Sequence, residues 1–460
     1  MKGDFSRDTF DPVKHFRRVL QQQGRVQLDA DANEQTAILL HYIQTLAADL
    51  IGPFGGPEIG SGFQIGAFDS QTKDFSISKG RYYVEGILCE NDADTTYKEQ
   101  KDYLNPPDEF DEKGHYLVYL DVWERHITAL EDDYIREKAL GGPDTATRTK
   151  VICQVKVEKN EQLVQLDCAT IRNYWDKDWK IRWQPDNRGL LKVRVTPQKN
   201  SSDPCLTAPD AKYRGQENQL YRIEIHKEGK AGEPDNATFK WSRDNGAVVS
   251  KVLSSSGKEL KVERTLGFEP KIWVELSNNE QELRGERGSL AKLLKIDGDR
   301  FVFESEIEQL KPNEIKKNKE IWPTKVRRWD QRYNSDLQEG AIPIKEGNGK
   351  EETDWITIEN GIEIQFVFAT GENPHYYRTG DYWLIPARVA TGDIEWPIET
   401  GSDGKPVLID GNKSPGKKEP FGIQHHYAPL AILNTGSGEL PDCCRCLFDR
   451  IDSSCNRADS

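Results

Sequence analysis

No stretch of this sequence approaches the roughly 18 consecutive apolar residues that a membrane-spanning helix requires. The start also lacks the apolar core of a secretory signal, because Met1-Lys2-Gly3-Asp4 runs straight into charged sequence. These two absences predict synthesis and assembly in the cytoplasm, with no direct membrane span. Positive charge is in deficit as well: 63 Lys and Arg stand against 77 Asp and Glu, a formal net charge of −14. A phosphate-binding surface needs the opposite balance, so nucleic acid is not an expected partner. The basic runs Lys316-Lys317-Asn318-Lys319 and Lys325-Val326-Arg327-Arg328 therefore read as solvated loops.

Signatures of catalysis are missing too. The chain contains no G-x-S-x-G elbow, no phosphate-cradling G-x-x-x-x-G-K-S/T loop, no H-E-x-x-H and no G-x-G-x-x-G opening a helix. No catalytic residue and no cofactor are nominated, and an enzyme is not the expectation. A repeat of fixed period is absent, which sets aside solenoids and propellers. Paired C-x-x-C spacings are absent among the eight cysteines. Cys89, Cys153, Cys168 and Cys205 are scattered and read as small buried apolar residues. Cys443, Cys444, Cys446 and Cys455 cluster near the end, not far from His425-His426. Thiolate and imidazole suit zinc, but adjacent cysteines rarely offer both sulfurs to one ion. Zinc and a tail disulfide stay open, and reduced, inert thiols are the reading preferred; no metal site is assigned.

What is present is bulky and well distributed. Eleven Trp, 16 Tyr and 16 Phe supply cores for a globular chain, and 460 residues are enough for two to four domains. The first 57 residues carry two helix patterns. Asp11 with Pro12 makes a start, Phe16, Val19 and Leu20 recur at helical spacing, and Gly24 makes a stop. Asp31 with Glu34 resembles a capping box, Leu39, Tyr42, Ile43, Leu46 and Leu50 line one face, and Gly52-Pro53 ends the pattern. Ile38, Leu40, Ala47 and Ile51 widen that face. So broad a stripe must bury against something, either the chain's own β region or another subunit.

Beyond residue 59 the pattern turns to strands. The fold expected is mainly β and multi-domain, with an N-terminal amphipathic helical pair. The blocks are a docking or oligomerisation segment at 1–59, a β-rich domain at 60–204, an all-β module at 205–311, and a β-rich region with a Cys-rich tail at 312–460. Asp244-Asn245-Gly246, Asp297-Gly298 and Glu359-Asn360-Gly361 read as hairpin turns. Trp241-Ser242-Arg243-Asp244-Asn245 groups an aromatic, a cation and a carboxylate, yet its polar residues are also those a turn needs. Asp381-Tyr382-Trp383 and Asp393-Ile394-Glu395-Trp396 mix carboxylates with aromatics, as a glycan-cleaving cleft does.

The runs GDFSRDTFDP, QQGRVQLDADANEQ and LAADLIGPFGGP resemble a bacterial family of uncharacterised function associated with gene clusters for phage-tail-like contractile injection systems. YRIEIH, FKWSRDNGAVV, YYRTGDYWLIPARVATGDIEWP and GIQHHYAPLAIL fit the same resemblance, so it spans nearly the whole chain. The resemblance implies a structural part at or around the baseplate, as a cage, baseplate extension or tail-fibre element, in contact with other baseplate or tail subunits. Such a particle leaves its cell by lysis, which is compatible with a chain lacking a signal. A six-fold tail is matched by three-fold or six-fold parts, so a homotrimer is favoured. The alternative is a carbohydrate-binding or glycan-cleaving particle protein.

Overall fold

The opening stretch forms one long helix and a single tight turn. In the computed structural model, which describes residues 1–107, 110–184, 187–196, 212–232, 236–307, 323–331, 337–347, 354–369, 374–409 and 412–449, the helix spans Asp29–Ile51. Its end is the expected one: Gly52 takes a left-handed φ of 92° and its N–H reaches the Ala48 carbonyl, with Pro53 next. Its start differs. Glu34 makes no capping box, because its carboxylate accepts from the Thr9 hydroxyl, while Asp29 accepts the Ser6 N–H at 2.9 Å.

Of the first helix pattern only the 3-10 turn Pro12–Lys14 forms. Asp11 caps it as expected, but His15 follows in the left-handed region at φ 55° and the chain runs on without helix or strand as far as Leu28. A helix this short is marginal unless it buries a face. Here Phe16 and Leu20 are exposed, so nothing offsets the entropy of ordering it.

The rest is mainly β. One compact unit draws on Thr9–Gln27, Asp31–Pro185 and Ile423–Ser460. Its larger sheet runs Asp442–Cys443, His426–Asn434, His115–Ile127, Arg148–Lys159, all antiparallel. The strand His115–Ile127 is buried on both faces, with Tyr116, Val118, Leu120 and Val122 on one and Tyr119, Asp121 and Trp123 on the other. This double burial explains its nearly unbroken apolar run. A second sheet places Leu447–Phe448 parallel to Phe54–Pro57, then Gly80–Val84 and Ile87–Asn91.

The other unit comprises Met1–Asp8, Leu28–Ala30 and Asp186–Gly422. An open five-stranded sheet is ordered Ile342–Pro343, Thr238–Ser242, Gln219–Lys227, Tyr382–Arg388, Asp393–Ile394. Its inner face, with Tyr221, Ile223, Ile225, Phe239, Trp383 and Ile385, shares a core with Ile364 and Phe366 of the strand Ile362–Val367. Six further strands close into a barrel: Val249–Ser256, Glu259–Val262, Arg300–Phe303, Ser289–Asp297, Ile272–Ser277 and Lys325–Trp329, which pairs back to the first. Leu260, Val274, Leu293, Phe301 and Val326 fill its interior. Closure leaves no open edge.

Two local expectations change. Asp244-Asn245-Gly246 does form a turn, with Asn245 and Gly246 at φ 53° and 64°, but its flanking strands do not pair. Thr238–Ser242 joins the open sheet and Val249–Ser256 the barrel, because Phe239 and Trp241 belong to one core and Val252 to another. Lys325-Val326-Arg327-Arg328 is a barrel strand and not a solvated loop, since Val326 points into the barrel interior while Lys325 and Trp329 are buried on the opposite face, where Lys325 pairs with Glu282 at 2.7 Å. Lys316-Lys317-Asn318-Lys319 lies outside the described residues. The turns at Asp297-Gly298 and Asn360-Gly361 do join paired strands.

The long helix rests on the turn between Gly80–Val84 and Ile87–Asn91. At Gly86, φ is 79° and a Cβ would meet the Gln44 carbonyl oxygen at 2.0 Å. Gly86→Ala should therefore lose on the order of 1–3 kcal/mol, combining backbone strain with displacement of the helix. Urea unfolding followed by circular dichroism measures it, and an unchanged midpoint would show that the helix does not depend on this contact.

Candidate functional site

The helix Asp29–Ile51 buries a narrow side. Ala30 and Ile38 are almost fully buried, and Ala37, Gln44, Ala47, Ala48 and Ile51 are half-buried. Leu39, Tyr42, Ile43, Leu46 and Leu50 point elsewhere and are between 49% and 72% exposed. Leu40 joins them at 44%. Of the three candidates in the preceding segment, Val19 is brought to the helix, donating its N–H to Gln35 Oε1 at 2.8 Å. Phe16 and Leu20 stay outside at 56% and 69% exposed. At Gly86 a strand turn comes close to the helix backbone, and the buried side there is formed by alanines together with Ile38, Gln44 and Ile51.

Two of the cysteines depart from the sequence reading. Cys168 is not an inert thiol: it is bonded to Cys444, 276 residues away. The short helix Cys168–Asn173 is held there by Asp442, whose carboxylate accepts the Cys168 N–H at 2.9 Å. Cys89 is buried beside Cys153, Cys443 is exposed, and burial raises the Cys446 thiol. Cys205 and Cys455 lie outside the described residues. The two histidines turn to carboxylates. His425 Nδ1 is 2.7 Å from Asp121, which also holds Lys156 at 2.6 Å, and His426 Nδ1 is 2.6 Å from Glu85, which also holds Lys180. Among the described residues no three His, Cys, Asp or Glu side chains converge as metal ligands would.

The other candidates are absorbed into packing. Trp241 lies in a core, Arg243 pairs with Glu359 at 3.0 Å, and Ser242 and Asp244 bond each other. Asp381 is held by Arg188, with its pKa raised by burial despite that partner. Trp383 is buried, and Glu395 is shared by Arg388 at 2.7 Å and Arg7 at 3.2 Å. Tyr382 lies under the Arg222 guanidinium, 3.5 Å from its ring centre.

A buried ion cluster escaped the sequence reading. On Gln219–Lys227, Arg222, Glu224 and His226 alternate with Tyr221, Ile223 and Ile225, so all three polar residues share the face turned away from the apolar core. Glu224 meets Arg222, Lys2 at 2.9 Å and Lys240 at 3.3 Å. Lys240 also pairs with Glu275 of the barrel, which accepts from Trp329 Nε1 at 3.0 Å and the Gly288 N–H at 3.2 Å. Asn245 fixes the opening residues by donating to the Met1 and Gly3 carbonyls at 3.2 and 2.9 Å. Burial alone would raise Glu275, but Lys240 and Lys2 outweigh it and bring it down to about 2. Burial and Lys240 push His226 down to about 3, so it is neutral. The visible signal was the alternation R-I-E-I-H, with charges at every second position of an apolar strand. Each carboxylate of the cluster is already matched by cations, so its chemistry is that of a joint between sheet and barrel.

These carboxylates set an acid limit. Glu275 and Glu85 both titrate near 2 in the folded chain, below their ordinary 4.5; for Glu85 burial is outweighed by bonds from His426 and Lys180. Their stabilisation is complete above about pH 4.5 and is lost as pH falls toward 2. Glu275→Gln should flatten the fall in urea midpoint over that range; identical slopes for variant and wild type would remove Glu275 from this role.

A family model described as a family of unknown function (DUF6519) matches residues 1–173 and 156–459. No curated protein and no solved structure matches.

Proposed function

The chain belongs to the DUF6519 family, of unknown function, and we propose that it is a structural component of a phage-tail-like contractile injection system, at or around the baseplate. The injection-system part of this reading is supported by the resemblance of the opening motifs. The structural part is carried by one observation: the apolar stripe Leu39, Tyr42, Ile43, Leu46 and Leu50 stays open on a single chain. A side chain of this size contributes about 1.5–3 kcal/mol when moved out of water. Five of them on one helix give enough to hold a subunit contact against the cost of association.

The contact is with copies of the same chain, in a homotrimer that fits a six-fold tail, and with other baseplate or tail subunits. Once Phe16, Val19 and Leu20 gain a surface, the segment after Pro12 takes up the helix that its start signals encode. The protein is made and assembled in the cytoplasm and leaves it with the particle, where the Cys168–Cys444 bond meets an oxidising medium. The carbohydrate-directed alternative draws less support, because Asp381 and Glu395 are held by Arg188 and Arg388.

Two measurements test this reading. Light scattering at micromolar concentration should give three times the 52.5 kDa of one chain, and a clean 52.5 kDa species would end the trimer. Leu39→Asp with Leu46→Asp should reduce that mass with little change in unfolding, since both side chains are exposed in one chain. Imaging of particles with and without the protein then tests the baseplate position, where loss of no density would refute it.

A further inference from the structure

The segment from Pro12 to Leu28 carries Lys14, Arg17, Arg18 and Arg25 and no acidic residue, within a chain of net charge −14. All four cations are exposed, and among the described residues none has a carboxylate partner. Phe16, Leu20, Val26 and Leu28 on the same segment are between 43% and 82% exposed. The helix that follows has the opposite character. It carries Asp29, Asp31, Glu34 and Asp49 and no Lys or Arg, beside its open apolar stripe. Asp29 and Glu34 are engaged by Ser6 and Thr9, whereas Asp49 is exposed and Asp31 half-buried, with no cation on either among the described residues.

These neighbouring elements are complementary in charge and alike in apolar surface, yet within one chain they do not satisfy each other. The hydrogen bond that joins them is the Val19 N–H on Gln35 Oε1 at 2.8 Å. We infer that the basic arm of one copy docks on the acidic, apolar helix of a second copy. Opposite charges then steer the arm while its apolar side chains cover the stripe. The partner is a second copy because its helix offers what both the arm's cations and its apolar side chains can pair with: carboxylates beside an open apolar stripe. Passing an arm from each copy to the next makes a heterologous contact that can close into a ring. This inference rests on the homo-oligomer proposed above and adds which surfaces meet.

Light scattering on the full chain tests it with four proteins. Wild type should be an oligomer whose mass falls as salt rises, because exposed pairs are screened. Arg17→Glu with Arg18→Glu should give the 52.5 kDa species with the wild-type circular dichroism spectrum, since both side chains are exposed and neither has a charged partner among the described residues. Asp31→Lys with Asp49→Lys should do the same. The chain carrying all four reversals should recover the oligomer. If the arm variant keeps the wild-type mass, arm docking is overturned while the oligomer stands. If the fourfold variant stays at 52.5 kDa, charge pairing between arm and helix is overturned. A wild type of 52.5 kDa overturns both readings.

Discussion

The junction of Glu224 and Glu275 with Lys2, Lys240 and Arg222 is the constraint on which one unit depends. It ties three parts distant in sequence: the first residues, the open sheet and the barrel. Taking such charges out of water is expensive, and the expense is recovered only when geometry and extra hydrogen bonds satisfy every member. Here Trp329, Gly288 and Asn245 supply those bonds. An apolar layer would tolerate sliding between sheet and barrel. A matched set of ions accepts only one register, so the cluster trades stability for a defined placement of the barrel on its sheet.

The second constraint is steric. The long helix approaches the β structure through Ala37, Ile38, Ala47 and Ala48, and Gly86 lets its backbone come close. Ile38 on that side is itself bulky, so position around the helix and not size separates the two sides. Leu39, Tyr42, Ile43, Leu46 and Leu50 fall on the outer side, which stays uncovered among the described residues. Inward packing and an open outward stripe follow from one helical period.

Local features were legible in the sequence wherever a few neighbouring residues decide them. Gly52-Pro53, Asp297-Gly298 and Asn360-Gly361 act as predicted because left-handed backbone and the loss of an N–H are local matters. Leu39, Tyr42, Ile43, Leu46 and Leu50 share an exposed face because helical spacing alone groups them. Partner choice was not legible. Nothing near Asp244-Asn245-Gly246 says that its two strands part company, since that depends on which core takes Trp241 and which takes Val252. Lys325-Val326-Arg327-Arg328 was misleading because Lys325 is buried through its pairing with Glu282, which a run of basic residues does not reveal. The Cys168–Cys444 bond was hidden for the same reason, its two halves being separated by most of the chain.

The strand His426–Asn434 lies between Asp442–Cys443 and His115–Ile127 in a sheet otherwise begun in the first third of the chain. Everything from Asp186 to Gly422 belongs to the other unit. During synthesis, His115–Ile127 therefore emerges with one long edge bare and must wait while an entire second unit is made. A bare strand edge is a template for pairing with the wrong chain. The interval between these two strands is thus the period in which the nascent protein is most open to aggregation. The inserted unit, whose open sheet and barrel are formed by strands lying within its own contiguous stretch, has no such wait.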